Sequence, residues 1–567
     1  MNRFFLALIT AAFVLVPAAV SADSVGDTER FTTDREYDVS GALSVSGTLR
    51  HVGTSAYWYV DDRYFNRLTS AERGLFMADL DRLASVFDLV IYPRSRELWG
   101  TENIPGVDGD TRVTVFLEEL GPGIGGYFNG RHSYDRSRTD DSNEREMFYA
   151  AVQSVGGNAK DYIAHEFQHL ISFNRKELSL RVSDDVWLNE VRSEYNVTHT
   201  GQNDTYRGSA LQRRVLHFLQ ESSDSLVDWP NVAVDYAIAA VFGEYFVEQY
   251  SPELLAGTIR TRNAGAWSLE EVLQGGGDGR LFPDVFNDWM VAVSLNDSSS
   301  DRRFGFADND LGMIRVGATA DLRLRSEGAR GTSVDLQEWQ PYWLDLSVPD
   351  SSAGHLRVSL AGEAGTSWVA SLIAEYLDGS SRVVQSRFGA DEHVMSVPLA
   401  GTARLRSARL ALAHGLTTPV RERDILVRGI AVSASVGGEA EPAGITPPGS
   451  GSPADGDLIS YDGAPGDVYV VWGPYRRYLP PGVLELYGFQ SRPVLRVSSE
   501  KFFSYKTSNY IRTINDERVF AVRPEGTKHW LNMTEGVFLG SGRDPGAIFT
   551  VNEAESAFYR TGVDITR

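Results

Sequence analysis

The chain has 567 residues, 54 Lys and Arg against 76 Asp and Glu, a formal net charge of −22, and no cysteine. That acidic balance disfavours nucleic acid and anionic lipid surfaces as partners and is read as a solubility feature. The lack of thiols excludes a disulfide scaffold, a cysteine nucleophile and a lipid-anchored lipoprotein, and the length exceeds what one core fills, so three or four domains are expected.

Residues 1–22 read as a secretory signal peptide. Arg3 opens it, Phe4 to Val16 is a short apolar run, and Val20 and Ala22 are the small residues of a cleavage site. That run is too short to span a bilayer, and no other segment is long and apolar enough, so no membrane span is expected. The reading places the protein in the bacterial envelope or outside the cell, extracellular or periplasmic. After an N-terminal segment at 23–57, residues 58–298 carry the best helical periodicity and form the expected catalytic domain. Ser70 to Phe87 predicts a helix with Leu75, Leu80, Leu83 and Val86 on one side. Strand-like runs follow at Arg112 to Leu117 and Arg145 to Tyr149. Between them Gly121 to Gly130 reads as a flexible loop over a cleft. Helices are expected at 160–175, 186–200, 208–221, 235–250 and 281–295. The fold class is therefore α+β here, a strand-rich lobe leading into a helical lobe.

The first of those five helices contains His165-Glu166-Phe167-Gln168-His169, an H-E-x-x-H string in a chain with only 10 histidines. Residues four apart lie one turn from each other on one helical face, so the two imidazoles can hold one Zn²⁺. Glu166 can reach a water on that metal, as a general base. Ile163, Phe167, Leu170 and Ile171 supply the apolar anchor. Downstream, Trp187-Leu-Asn-Glu190-Val-Arg-Ser-Glu194-Tyr195 follows possible cap residues at Ser183 to Asp185. A catalytic zinc takes three protein ligands and an open position, and Glu190 is well placed as the third. Glu194, a turn further on, is a candidate acceptor for the spare ring N–H of a ligand histidine.

These strings resemble the gluzincin metallopeptidases, the clan of thermolysin and aminopeptidase N. The longer matches are similar to the hyicolysin family of secreted bacterial metallopeptidases: His165 to Asn174, Trp187 to Tyr195, and Asp235 to Phe242. The resemblance covers roughly residues 58–298. It implies a zincin fold, zinc ligands at His165, His169 and Glu190, a general base at Glu166, and an orienting role for Glu194. Gluzincins also stabilise the oxyanion from a Tyr or His beyond the third ligand. The candidates are His199, Tyr206, His217 and Tyr236, and Tyr236 is preferred because it opens a helix, as in the aminopeptidase N branch.

From about 310 the pattern becomes strand-like. Leu344, Leu346 and Val348, then Leu356, Val358 and Leu360, then Leu410 and Leu412 alternate with polar residues, predicting an all-β sandwich over 310–436. Residues 437–456 are rich in Gly, Pro, Ser and Ala and read as a linker. Residues 458–567 contain an internal repeat of a little over fifty residues: Val468 to Leu479 aligns with Phe520 to Leu531, and Leu495 to Tyr505 with Phe549 to Tyr559. The favoured reading is a structural pair burying a shared aromatic core; a cell-wall or glycan contact through Trp472, Tyr475 or Trp530 is the sharper alternative. Asp108 to Asp110 and Asp308 to Asp310 read as turns rather than calcium loops.

The function read from this is a secreted zinc endopeptidase acting on polypeptide substrates as a monomer, with Arg145 to Tyr149 as the exposed strand that pairs with substrate. The competing readings are an adhesin on a zincin scaffold and an aminopeptidase; the G-x-M-E-N string of the aminopeptidase N type is lacking.

Overall fold

The computed structural model describes residues 22–566 apart from 277–279, 350–351, 364–365, 390–391, 401–402, 417–419, 421–423, 438–452, 462–463, 488, 490–491, 493, 498, 514–515, 524–525 and 542. The expected signal peptide and most of the expected linker lie outside the described residues. The protein is mixed α/β with several sheets. It divides into two compact units, residues 1–93 with 101–170, and residues 94–100 with 171–567.

The first unit is built on a six-stranded sheet in the order β1-β2-β3-β4-β6-β5. Its strands are β1 (Thr28–Thr32), β2 (Ser44–Val52), β3 (Ala56–Asp61), β4 (Val113–Glu118), β5 (Gly126–Tyr127) and β6 (Met147–Ala151). β3, β4 and β6 run parallel and every residue in them is buried. Such strands are covered on both faces, which is why AYWYVD, VTVFLE and MFYAA are nearly continuous apolar runs. β1 and β2, from the segment expected at 23–57, extend the same sheet. Asp23 accepts from the Tyr59 hydroxyl and the Arg145 guanidinium, both at 2.7 Å.

Helix α1 (Asp62–Arg67) follows β3, and α2 (Ser70–Val86) begins with a capping box in which Thr69 and Glu72 exchange hydrogen bonds. One expectation for α2 is corrected: Leu75 is 69% exposed, and the buried positions are Phe76, Leu80, Leu83 and Ala84. Spacings of four and three residues keep Phe76, Leu80, Leu83 and Phe87 on one stripe, whereas Leu75 is a hundred degrees off it. The chain continues through α3 (Tyr92–Trp99) to α4 (Ala159–Phe173).

The strand expected at Arg145 to Tyr149 is β6, and its assignment as an exposed edge is also corrected. β5 pairs outside it, Gly126 with Ala150 and Tyr127 with Tyr149, so β5 is the edge.

The second unit contains α5 (Val186–His199), α6 (Ala210–Gln220), α7 (Ala233–Gln249), α8 (Pro252–Gly257), α9 (Gly265–Gly275) and α10 (Phe282–Leu295). It then forms two sheets, β13-β10-β15-β8 and β12-β11-β14-β9-β7. These use β7 (Ala320–Arg323), β8 (Arg330–Gln337), β9 (Tyr342–Ser347), β10 (His355–Gly362), β11 (Ser367–Tyr376), β12 (Ser381–Phe388), β13 (His393–Pro398), β14 (Leu405–Gly415) and β15 (Val427–Val436). The inward residues of both, among them Leu344, Leu356, Val358, Leu410 and Leu412, share one core. α10 is buried on all sides because β11 covers one flank: Asn287 exchanges hydrogen bonds with Ser371 and Ala370.

Two further five-stranded sheets close the chain, β19-β16-β17-β18-β20 and β24-β21-β22-β23-β25. The first uses β16 (Leu458–Tyr461), β17 (Ala464–Trp472), β18 (Tyr475–Leu479), β19 (Val494–Val497) and β20 (Lys506–Thr507). The second uses β21 (Tyr510–Thr513), β22 (Asp516–Arg523), β23 (Thr527–Trp530), β24 (Ile548–Val551) and β25 (Arg560–Thr561). Strand order and pairing sense are the same in both, and one apolar cluster joins Leu458, Tyr475 and Leu479 to Ile511, Phe520 and Phe549. Tyr475 is only 6% exposed and donates to Asp544, so it is a core residue and not a ligand platform. Trp472 and Trp530 pack on the same cluster.

No described helix is long and apolar enough to cross a membrane.

Candidate metal centre

α4 is fixed by its apolar side. Ile163, Phe167, Leu170 and Ile171 are buried, and Phe167 meets Phe87 and Phe148 with ring centroids 5.3 and 6.2 Å away. With the helix so anchored, the Nε2 atoms of His165 and His169 face each other 3.1 Å apart. Two nitrogens on one tetrahedral zinc, with Zn–N about 2.0–2.1 Å, lie roughly 3.3 Å apart. Among the described residues, His165, His169 and Glu190 form a buried group whose ligand atoms all lie within 4.8 Å of one another. Two imidazoles and a carboxylate are a donor set that suits zinc.

Glu190 rides on α5, whose interior holds an unusual set of polar side chains: Glu190, Arg192, Ser193, Glu194 and Asn196 are all buried. Three of these side chains are held by named partners. Arg192 donates to Asp184 at 2.9 Å, Asn196 accepts from the Trp99 indole at 2.8 Å, and Arg214 grips Glu194 with two bonds of 2.9 and 2.8 Å. α7 lies close against α5, and a methyl at Gly243 would stand 3.3 Å from the Val191 carbonyl oxygen.

Glu166 sits on α4 beside the edge strand. A methyl on Gly126 would come 2.9 Å from Glu166 Cγ and 3.1 Å from its Oε1, and one on Gly125 would enter the Tyr162 ring. The glycine-rich stretch expected as a loop over a cleft therefore brings its backbone against the candidate base, an approach only glycine permits.

Tyr236 stands at the start of α7. Its hydroxyl donates to Asn231 Oδ1 at 2.6 Å, and the Arg214 guanidinium lies 4.8 Å from its ring centroid. Arg214 thus links the Tyr236 ring to the Glu194 carboxylate. The neighbouring Asp235 caps α7 through the Val232 N–H, and Asp224 beside it is pushed up to about 7 by burial and the Asp235 charge. Of the other oxyanion candidates, His199 places Nε2 3.1 Å from the Arg94 carbonyl, His217 is exposed on α6, and Tyr206 lies near the charges of Asp308 and Asp310. Asp308 and Asp108 each accept the backbone N–H two residues on, as turn residues do.

Arg214 has no signal in the sequence, because its importance lies in a partner 20 residues away. Gly126 had one, the local glycine density.

No known family model matches the chain. A neutral metalloprotease, ShpI of Staphylococcus hyicus, is 26% identical over 257 residues, which is 41% of this chain and 53% of that protein. The chain spans about half the length of the curated relative it matches. This likeness and the buried His-His-Glu group support a metallopeptidase.

Proposed function

We propose that the protein is a secreted zinc-dependent endopeptidase. The buried group of His165, His169 and Glu190 carries the reading, because two imidazoles and a carboxylate whose ligand atoms lie within 4.8 Å of one another are a donor set that suits zinc. These three residues would hold the zinc, which when bound polarises the scissile carbonyl and acidifies the attacking water. Glu166 takes the proton from that water and delivers it to the leaving amine nitrogen. The main chain of an extended substrate pairs with the free edge of β5, beside Glu166. Glu194, held by Arg214, orients a ligand imidazole. Tyr236 is the donor to the developing oxyanion, and its hydroxyl turns from Asn231 when substrate binds.

The test is metal analysis and casein digestion by the full chain and by Glu166→Gln. Zinc near one equivalent in both, with turnover lost only in the variant, is the expected result. A wild type without tightly bound zinc sinks the site, and an active Glu166→Gln sinks the mechanism.

A further inference from the structure

Beyond its second histidine, α4 runs on as a π-helical turn, Asn174–Leu180, and this turn carries Lys176. Lysine is seldom fully buried, yet Lys176 is only 2% exposed. Its ammonium donates to the Asn263 carbonyl at 2.5 Å and the Thr261 carbonyl at 3.2 Å. The Thr261 and Ser268 hydroxyls stand at 3.3 Å, and Asp184 Oδ2 at 3.8 Å. The Asp184 side chain is only 7% exposed, and it is a junction. One oxygen accepts from Arg192 at 2.9 Å, the other from the Gly265 N–H at 2.9 Å. Arg192 reaches on to Thr258 and Asn189, next to Glu190 in the chain. Asp184 lies just before α5, and no residue can replace Gly265 without striking Asp185.

The network therefore ties three things together: the continuation of the histidine-bearing helix, the start of the Glu190-bearing helix, and the segment 258–268. Burying two cations and one carboxylate is expensive, and nothing in the catalytic chemistry uses these groups directly. The segment they hold is braced from its far side too. Trp267 meets Tyr487 edge-to-face at 5.6 Å, and Arg492 lies 3.6 Å from Glu270.

We infer that Lys176 is a positioning residue for the metal centre, acting through Asp184 to hold Glu190 at ligand distance from the histidines. The inference rests on the zinc reading proposed above. Partners that orient metal ligands typically affect metal affinity by about 10- to 100-fold.

The experiment measures the zinc dissociation constant by competition with a chromophoric chelator, using the full chain, Lys176→Met and Lys176→Gln. Melting of the metal-free forms is followed alongside. Lys176→Met keeps the length of the side chain and removes every donor; Lys176→Gln keeps donors without the charge and guards against failure of the first variant to fold. The expected result, at a temperature where all forms are folded, is zinc bound at least tenfold more weakly by Lys176→Met and to an intermediate degree by Lys176→Gln. A purely structural lysine would lower melting of the metal-free protein and leave zinc affinity within twofold of wild type in every folded variant, which overturns the inference. A wild type that binds no zinc overturns the underlying reading instead, so the two failures are distinguishable.

Discussion

α5 and the paired C-terminal sheets both bury ionic side chains, and they do it to different ends. In α5 the buried polar groups are many and lie along one helix: Glu190, Arg192, Ser193, Glu194 and Asn196. In the C-terminal sheets the interior is aromatic and aliphatic, with an Arg477–Glu555 pair set into it and the Tyr487 and Tyr559 hydroxyls donating to the same carboxylate. The Arg477–Glu555 pair of the second is answered from inside the module. The first includes Glu190, which converges with the His165 and His169 imidazoles of α4 in one buried group. Dense burial of polar groups that converge marks chemistry, whereas burial of a self-satisfied pair marks assembly.

Changing a residue on either side breaks or sharpens this contrast. The largest effect is expected from Glu190→Gln, which removes a ligand charge: zinc retention after dialysis and all turnover should be lost while the C-terminal sheets keep their stability. Retained zinc would show that Glu190 is not a ligand. Next comes Glu555→Gln, which leaves Arg477 buried without its counter-charge. Breaking such a pair costs about 3–5 kcal/mol, read from denaturant unfolding, and zinc content should not change. Loss of zinc in that variant would mean the two regions are not separable.

A chain ending at residue 436 asks the same question more coarsely. It should still bind zinc, but it strips Tyr487 from Trp267 and Arg492 from the buried Glu270, so its melting temperature should fall. Equal melting would show that these contacts contribute nothing. Tyr236→Phe removes a single oxygen, and the expected outcome is a kcat lower by about tenfold, roughly 1.4 kcal/mol in barrier, with zinc and folding intact. An unchanged kcat moves the oxyanion role to His199 or His217.

The smallest effect is a pH slope in the first unit. Burial pushes Glu146 up to about 7 and Glu118, beneath Tyr127, up to about 9. A carboxyl raised in the folded state binds protons there that the unfolded chain has released. Its stabilising contribution is therefore complete below the usual carboxylate range and is lost as pH rises, through about 7 for Glu146 and about 9 for Glu118. Melting temperature measured from pH 5 upward should decline, and Glu146→Gln should flatten the lower part of that decline; no difference in slope would refute the assignment.

What the sequence determined by itself was whatever depends on local periodicity. A four-residue spacing puts His165 and His169 on one helical face in any context, and alternation along Leu356, Val358 and Leu360 turns those side chains into one core. Helix limits were legible for the same reason, α5 being expected at 186–200 and running from Val186 to His199. Tertiary structure decided whatever depends on which element lies beside which. It made β5 the sheet edge instead of β6, drew residues 28–52 into the first sheet, left Leu75 in solvent and buried Tyr475. It also chose Arg214 for Glu194 and a bed of carbonyls for Lys176. Those partners are tens of residues away in the chain, and hydrogen bonds of that kind leave no periodic trace, because they are made by the folding of distant segments onto one another and not by the turn of a single helix or strand.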